Sequence, residues 1–287
     1  MDLRRLRLFL AVVDEGGFSA AARAVHVAQP AVSLAVRELE SELGAPLLVR
    51  SRQGVVLTPA GEALVPPVRQ ALRDLDTASS AVAAVTGLVG GRLDLASLPT
   101  LAADPLADLV GRFRRDHPAV QVRLAAPTDS DDVATAVRTG EAEVGITEEG
   151  PANEGLVERV LLVQTLLAVS PPGGDGDRPL RLARLAGVPL VLSRQGASLR
   201  DVVDAALQEA GVVPEVAVET AQRDALLPLV LAGAGTTFLP TALAHAAGRL
   251  GATVRPTQPA LRRTIALVHR PGPLAPAARA FLDLAAS

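Results

Sequence analysis

The sequence predicts an α/β protein preceded by an all-α head that carries a β wing. Three observations predict it. The first sixty residues hold three helix-spaced stretches followed by two short apolar runs around a polar tip. A heptad-like apolar seam follows. From Arg92 onward, short apolar strands alternate with amphipathic stretches, the signature of α/β architecture. At 287 residues, 49% of them hydrophobic, the chain has material for more than one core.

The first helix is expected over 3–13, where Leu3, Leu6, Leu10 and Val13 form one stripe. The apolar run beside Arg4, Arg5 and Arg7 is too short for a signal peptide and meets Asp14-Glu15 where a cleavage site would stand. The second helix is rich in alanine: Ala20, Ala21 and Ala22 leave room for a neighbour to approach, and Ser19 is expected to cap it. The third opens at Pro30 and stops at Gly44. Val32, Val36, Leu39 and Leu43 face inward. Pro30, Ser33, Leu34 and Arg37 share another face, with Gln29 at its start. A small helix crossed closely by one whose outer face bears hydroxyl and guanidinium groups reads as a helix-turn-helix that presents this face to DNA.

Residues 46–57 read as a hairpin wing, with Gly54 at its tip and Arg50 and Arg52 placed to reach phosphates. Residues 1–58 hold seven Arg against six acids, so the field at the reading face matters more than the sum. Thr58 is expected to cap a helix starting at Pro59. Leu64, Val68, Ala71, Leu75, Ala78, Val82 and Val85 form its seam, the pattern of a paired helix. Pro66 and Pro67 predict a kink or restart.

Further on, strands are expected over 93–98, 120–126, 144–147, 160–169, 188–192, 216–218, 236–239 and 264–268. Helices are expected over 102–115, 131–139 and 199–210, a further one running to Ala232, and a last one carrying Phe281, Leu282 and Leu284. Residues 173–177 read as a solvated turn. Ligands of open α/β folds sit beyond the carboxyl ends of strands. Those places hold Ser97, Thr100, Thr128, Ser130, Thr147, Ser193, Gln195 and Thr220, the candidate effector-binding set, with Ser198 beside them. Hydroxyls and amides at helix starts favour a small anion, and Asp129 opposes one if it points inward.

Several chemistries are excluded. Every one of the 28 basic residues is Arg, so lysine chemistry is absent. Without cysteine there is no disulfide, thiolate metal site or thiol nucleophile. His26, His117, His245 and His269 lack metal-ligand spacing, and Gly233-x-Gly235 lacks the third glycine of a dinucleotide fingerprint. His26 reads as a turn residue, and His117 as the end of a helix before Pro118. Asp129, Asp131 and Asp132, like Glu141, Glu143, Glu148 and Glu149, read as caps and solvated loops. No catalytic residue, metal or cofactor is expected. The alternative reading is a solute-binding or enzymatic α/β protein with an incidental helix-turn-helix.

From Leu3 to Gly61 the chain closely resembles the LysR-type transcriptional regulators. The resemblance is carried by Leu8-Phe9-Leu10-Ala11, Gly17-Phe18-Ser19-Ala20-Ala21-Ala22, Val27-Ala28-Gln29-Pro30-Ala31-Val32-Ser33, Leu39-Glu40-Ser41-Glu42-Leu43-Gly44 and Leu57-Thr58-Pro59-Ala60-Gly61. It implies a winged helix-turn-helix (1–58), a long linker helix for dimerisation (59–88) and a two-lobed, periplasmic-binding-protein-like effector domain (89–287). Lobe I is expected over about 89–163 and 268–287, lobe II over about 164–267. Positions matching Thr100, Thr128, Ser130, Ser193 and Thr220 line or adjoin the family's cleft. The expected partners are promoter DNA, a small-molecule effector, further copies in a homotetramer, and RNA polymerase, all in the cytoplasm and away from membranes. Ala28 departs from the Ser or Thr usual before Gln-Pro, Leu34 from a position often polar, and Leu48-Val49 from a pair that usually contains Phe.

Overall fold

The computed structural model describes residues 1–51, 54–85, 91–174 and 178–286. Helices α1 (Leu3–Asp14), α2 (Phe18–Ala24) and α3 (Gln29–Leu43) build the head, with strands β1 (Leu48–Ser51) and β2 (Gly54–Leu57) as its wing. Asp2 opens α1 by accepting from the Arg4 amide at 3.1 Å. Phe9, Val12, Ala21, Val32, Val36 and Leu39 meet in one core. The alanines of α2 therefore do what their size allows: Ala21 and Ala22 are buried, and α1, α2 and α3 pack mutually. Leu43, expected inside, is exposed in the last turn of α3.

Ser19 does not cap α2. Gly17 stands at the N-cap, no side chain satisfies the first amides, and Ser19 lies inside the first turn, too late to reach them. Helix α3 also starts without a side-chain cap, at Ala28, with Pro30 where a missing amide hydrogen is harmless. His26 is a turn residue in the left-handed region, φ 54°.

Thr58 caps the long helix α4 (Pro59–Val85), its Oγ1 accepting from the Gly61 amide at 3.1 Å. Gly61 is required: a Cβ there would lie 2.2 Å from the Leu47 carbonyl, where α4 crosses the wing. The helix runs on through Pro66 and Pro67, so the expected restart does not occur. Val65 and Val68 are buried in the head core, which fixes the helical path. The carbonyls deprived of donors belong to Glu62 and Ala63, both exposed, where water substitutes.

Beyond Gly91 the elements are β3 (Gly91–Ser97), α5 (Pro99–Leu101), α6 (Ala107–Asp116), β4 (Val120–Ala125), α7 (Ser130–Thr139), β5 (Val144–Glu148), β6 (Val157–Ser170), β7 (Leu180–Arg181), β8 (Pro189–Ser193), α8 (Ser198–Glu209), β9 (Glu215–Thr220), α9 (Leu226–Leu231), β10 (Thr237–Pro240), α10 (Thr241–Arg249), β11 (Thr253–His269) and α11 (Pro276–Ala285). The helix expected over 102–115 is interrupted: Asp104 leaves helical dihedrals (φ −156°, ψ 115°). Pro105 follows it and disfavours the α region in its predecessor. Strand β11 begins at Thr253, far ahead of the expected 264, and α10 forms where the sequence pattern predicts no element. Of the expected turn over 173–177, residues 175–177 lie outside the described residues.

The main sheet runs β10-β6-β11-β5-β3-β4, with β7 added on β11. Strands β6 and β11 pair antiparallel along their length, with register shifts between Pro256 and Leu261 and between Ile265 and Ala266. At one end they join parallel β3, β4 and β5; at the other they join β10. These two strands tie the lobes together. Lobe I packs Leu93, Leu95, Phe113, Ile146, Ile265 and Phe281. Lobe II packs Leu190, Leu192, Val203 and Phe238 in one cluster and Val169, Val191, Val230 and Ala244 in another. Among the described residues no helix is long and apolar enough to cross a membrane.

Candidate nucleic-acid interface and inter-lobe cleft

Helix α3 divides as its spacing requires. Val32, Ala35, Val36 and Leu39 are buried, while Pro30, Leu34 and Arg37 are exposed and Gln29 and Ser33 half-buried. Leu34 is 52% exposed, a large apolar side chain held in water by the folded head. Gln29 Nε2 donates to Ser33 Oγ at 2.8 Å, and Arg37 Nε donates to the Ser33 carbonyl at 3.2 Å. The polar groups of this face thus order one another before any partner arrives. The Arg50 side chain and all of Arg52 lie outside the described residues.

The acids of α3 are spent internally. Glu40 Oε1 accepts from the amides of Leu47 at 2.8 Å and Leu48 at 3.2 Å, fastening the wing to the helix. Glu38 and Glu42 pair with Arg5 on α1 at 3.0 and 3.4 Å. A groove lined by Phe18, Ser33, Val36, Arg37, Glu40, Leu48 and Val49 lies between α3 and the wing.

The second region lies where β6 and β11 pass between the lobes. Arg263 on β11 faces Gln164 on β6 in register. Its guanidinium donates to Gln164 Oε1 (2.8 and 2.6 Å), Thr100 Oγ1 (3.0 Å) and Glu148 Oε1 (2.8 Å). Burial lowers the Arg263 pKa, and Glu148 opposes that. Ser198, the first residue of α8 in lobe II, donates to the same Glu148 oxygen at the end of β5 in lobe I. Gln164 Nε2 reaches the Asp104 carbonyl at 3.1 Å. Arg223 of lobe II donates to the Thr128 carbonyl of lobe I at 3.2 Å.

Of the predicted effector set, Thr100 is tied to Arg263. Thr128 and Gln195 are exposed, and Ser130 and Thr220 half-buried. The Thr220 hydroxyl accepts from the Gln222 amide at 3.0 Å. Ser193 is buried, and its carbonyl takes a bond from Arg200 at 3.0 Å. Ser97 and Thr147 are wholly buried, and among the described residues the Thr147 hydroxyl has no hydrogen-bond partner. Their strands sit in the middle of a sheet covered on both faces, so side chains near the strand ends remain interior. Asp129 spends its carboxylate capping α7, accepting from the Asp132 amide at 2.8 Å. The solvated-loop reading fails for Glu148, which forms the ion pair above, and for Glu143, which is buried.

Arg263, Gln164 and Arg223 were missed because nothing local marks them. Arg263 sits in an Arg-Arg pair inside a strand, and only the crossing of β6 and β11 gives it acceptors from three elements.

The profile described as "Bacterial regulatory helix-turn-helix protein, lysR family" matches residues 3–62, and "LysR substrate binding domain" matches residues 86–287. The chain belongs to the LysR family of transcriptional regulators. The regulator is 33% identical to the HTH-type transcriptional regulator IlvR of Caulobacter vibrioides over 85% of its own length and 83% of that protein's. It is 32% identical to the regulator TfdS of Cupriavidus pinatubonensis, covering 99% of this chain and 98% of the other. A full-length OxyR variant from Pseudomonas aeruginosa superposes with TM-score 0.80 at 25% identity, covering 100% of this chain and 94% of that one. Full-length CbnR in complex with its target DNA matches with TM-score 0.59 at 27% identity, covering 100% and 99%. The regulator therefore couples a helix-turn-helix head to a LysR substrate-binding domain, and the enzymatic and solute-binding alternatives fall away.

Proposed function

We propose that α3 enters the major groove of promoter DNA, with Ser33 and Leu34 toward base edges, Gln29 and Pro30 at the groove entrance and Arg37 on bases or phosphates. Arg50 and Arg52 of the wing hold the backbone. The observation that carries this reading is the split of α3: a buried apolar face opposite an outward face of Pro30, Leu34 and Arg37. Domains divide at about 58 and 88. Two copies pair through α4, and pairs of pairs set heads on half-sites one helical turn apart or a multiple of it. The regulator acts in the cytoplasm, where the promoter and RNA polymerase are.

A small anion between the lobes biases this binding by preferring one lobe arrangement. Support comes from the guanidinium of Arg263 at the lobe crossing and from α8 opening onto it at Ser198. Ser97, Thr100, Thr128, Ser130, Thr147, Ser193, Gln195 and Thr220 are the candidate neighbours. The chain lacks cysteine, so its signal is not sensed by a thiol.

Fragments selected from the native genome provide the test, read by fluorescence anisotropy across a salt series. Arg52→Ala is expected to weaken all sequences alike and lower the salt slope by about one. Ser33→Ala is expected to change sequence preference with the slope kept. No preference for any fragment over random competitor overturns the reading.

A further inference from the structure

The groups that would recognise an anion between the lobes are already occupied by the protein's own carboxylate. The Arg263 side chain is 2% exposed and that of Glu148 19% exposed, their ion pair closing at 2.8 Å. The same Glu148 oxygen receives the Ser198 hydroxyl at the head of α8. Guanidinium, hydroxyl and the positive end of a twelve-residue helix together make the environment in which a small carboxylate is bound. Here that carboxylate arrives on the end of β5, from lobe I, and its contact with Ser198 joins lobe I to lobe II. Arg263 draws its other acceptors from neutral groups, Gln164 and Thr100. Among the described residues Glu148 is its ion-pair partner, while the Asp104 carboxylate acts on it only electrostatically.

We propose that Glu148 is a tethered internal ligand, and that the effector is a carboxylate or similarly sized oxyanion that displaces it from Arg263 and Ser198. This rests on reading the cleft as the effector site and adds the ligand's class and the way it acts. A tethered group competes at the high effective concentration of an intramolecular partner, so the apparent affinity of any effector is reduced by the fraction of time Glu148 is away. Displacement frees Glu148 and breaks its bond to Ser198, which changes the relation between the lobes. A cation has no means of replacing it. A neutral amide replaces the hydrogen bonds without the charge.

The experiment uses the full-length protein with Glu148→Ala. This substitution removes the side chain beyond Cβ, and acetate matches the removed group atom for atom. The readout is hydrogen exchange in the first turn of α8, with ionic strength held constant. In E148A these amides are expected to exchange at least about tenfold faster than in the unsubstituted protein. About 50 mM acetate is expected to restore much of the protection, as a free ligand replacing a tethered one at its effective concentration. Acetamide is expected not to, and the unsubstituted protein is expected to respond to neither. Failure of acetate to restore protection, or equal restoration by acetamide, overturns the proposal. Should E148A not fold, Glu148→Gln keeps the volume and one acceptor but no charge. Protection of α8 in E148Q equal to that of the unsubstituted protein overturns it as well. Promoter affinity measured in the same samples separates the two readings. Restoration by acetate without any change in DNA binding defeats the cleft's regulatory role and leaves the internal ligand standing. An effector-dependent unsubstituted protein with an E148A variant deaf to acetate does the reverse.

Discussion

At the scale of single residues, the acids are the instructive case. In sequence, Glu40 is one of three alternating glutamates at the end of a helix, and nothing distinguishes it from its neighbours. In the fold its Oε1 accepts the amides of Leu47 and Leu48 where the chain enters the wing. Glu40→Ala is expected to destabilise the head by about 1–3 kcal/mol, because buried donors are left unsatisfied. Thermal melts at constant pH would check it. Glu143 is a different kind of acid. Burial first, and Asp94 next, push its carboxyl up to about 7, against the pull of Arg73 and Arg270. An acid whose folded pKa is raised stabilises the fold most while protonated. That stability is fully present below pH 4.5 and lost as the pH rises through about 7. The swing is about 3 kcal/mol at most. Glu143→Gln is expected to flatten the stability profile between about pH 5 and 7, which denaturant titrations across pH would read.

At the scale of elements, α7 stands out because each end meets a different part of the protein. At its start, the Thr128 carbonyl takes Arg223 from lobe II. At its end, the carbonyls of Val137 and Gly140 take Arg270 and Arg73, the latter from the linker helix α4. These cations suit the negative end of the helix. Burial first, and Arg270 second, lower Arg73 to about 10. Gln70 Oε1 serves both guanidiniums, at 3.0 Å each. Gln70→Ala removes that shared acceptor and is expected to cost about 1–3 kcal/mol and loosen α4 from α7. Faster hydrogen exchange at the end of α7 in the variant would register it. The linker also marks a limit of sequence reading. Two prolines argue locally for a break, and the burial of Val65 and Val68 in the head overrides them. Conversely, Thr58, Gly44 and Pro30 did what their local chemistry dictates, because caps and stops depend on neighbours within a turn.

At the scale of the whole molecule, the head and the alternating strands were legible because periodicity records which side of an element is buried. The lobe crossing was not. The first half of β11 carries Pro256, Gln258 and Pro259, poor strand material by propensity, and it is held by pairing to β6 and β7. Its key residue, Arg263, acquires meaning only from strands far away in sequence. The linker seam sits between these extremes. Val68, a member of it, is buried in the head, while Ala71, Leu75 and Ala78 continue the same stripe exposed, Leu75 by 41%. The side chains of Val82 and Val85 lie outside the described residues. An exposed stripe at alternating steps of four and three fits a second copy of the same helix. Replacing Ala71 and Ala78 together by Glu sets like charges across that pairing without disturbing the head core, since neither residue belongs to it. The expected outcome is a halved mass in sedimentation equilibrium. An isolated single head should still bind a half-site weakly, while affinity for the paired site falls by far more, because the second head loses the effective concentration the linker supplied. A variant that stays assembled at the original mass would move the pairing surface elsewhere.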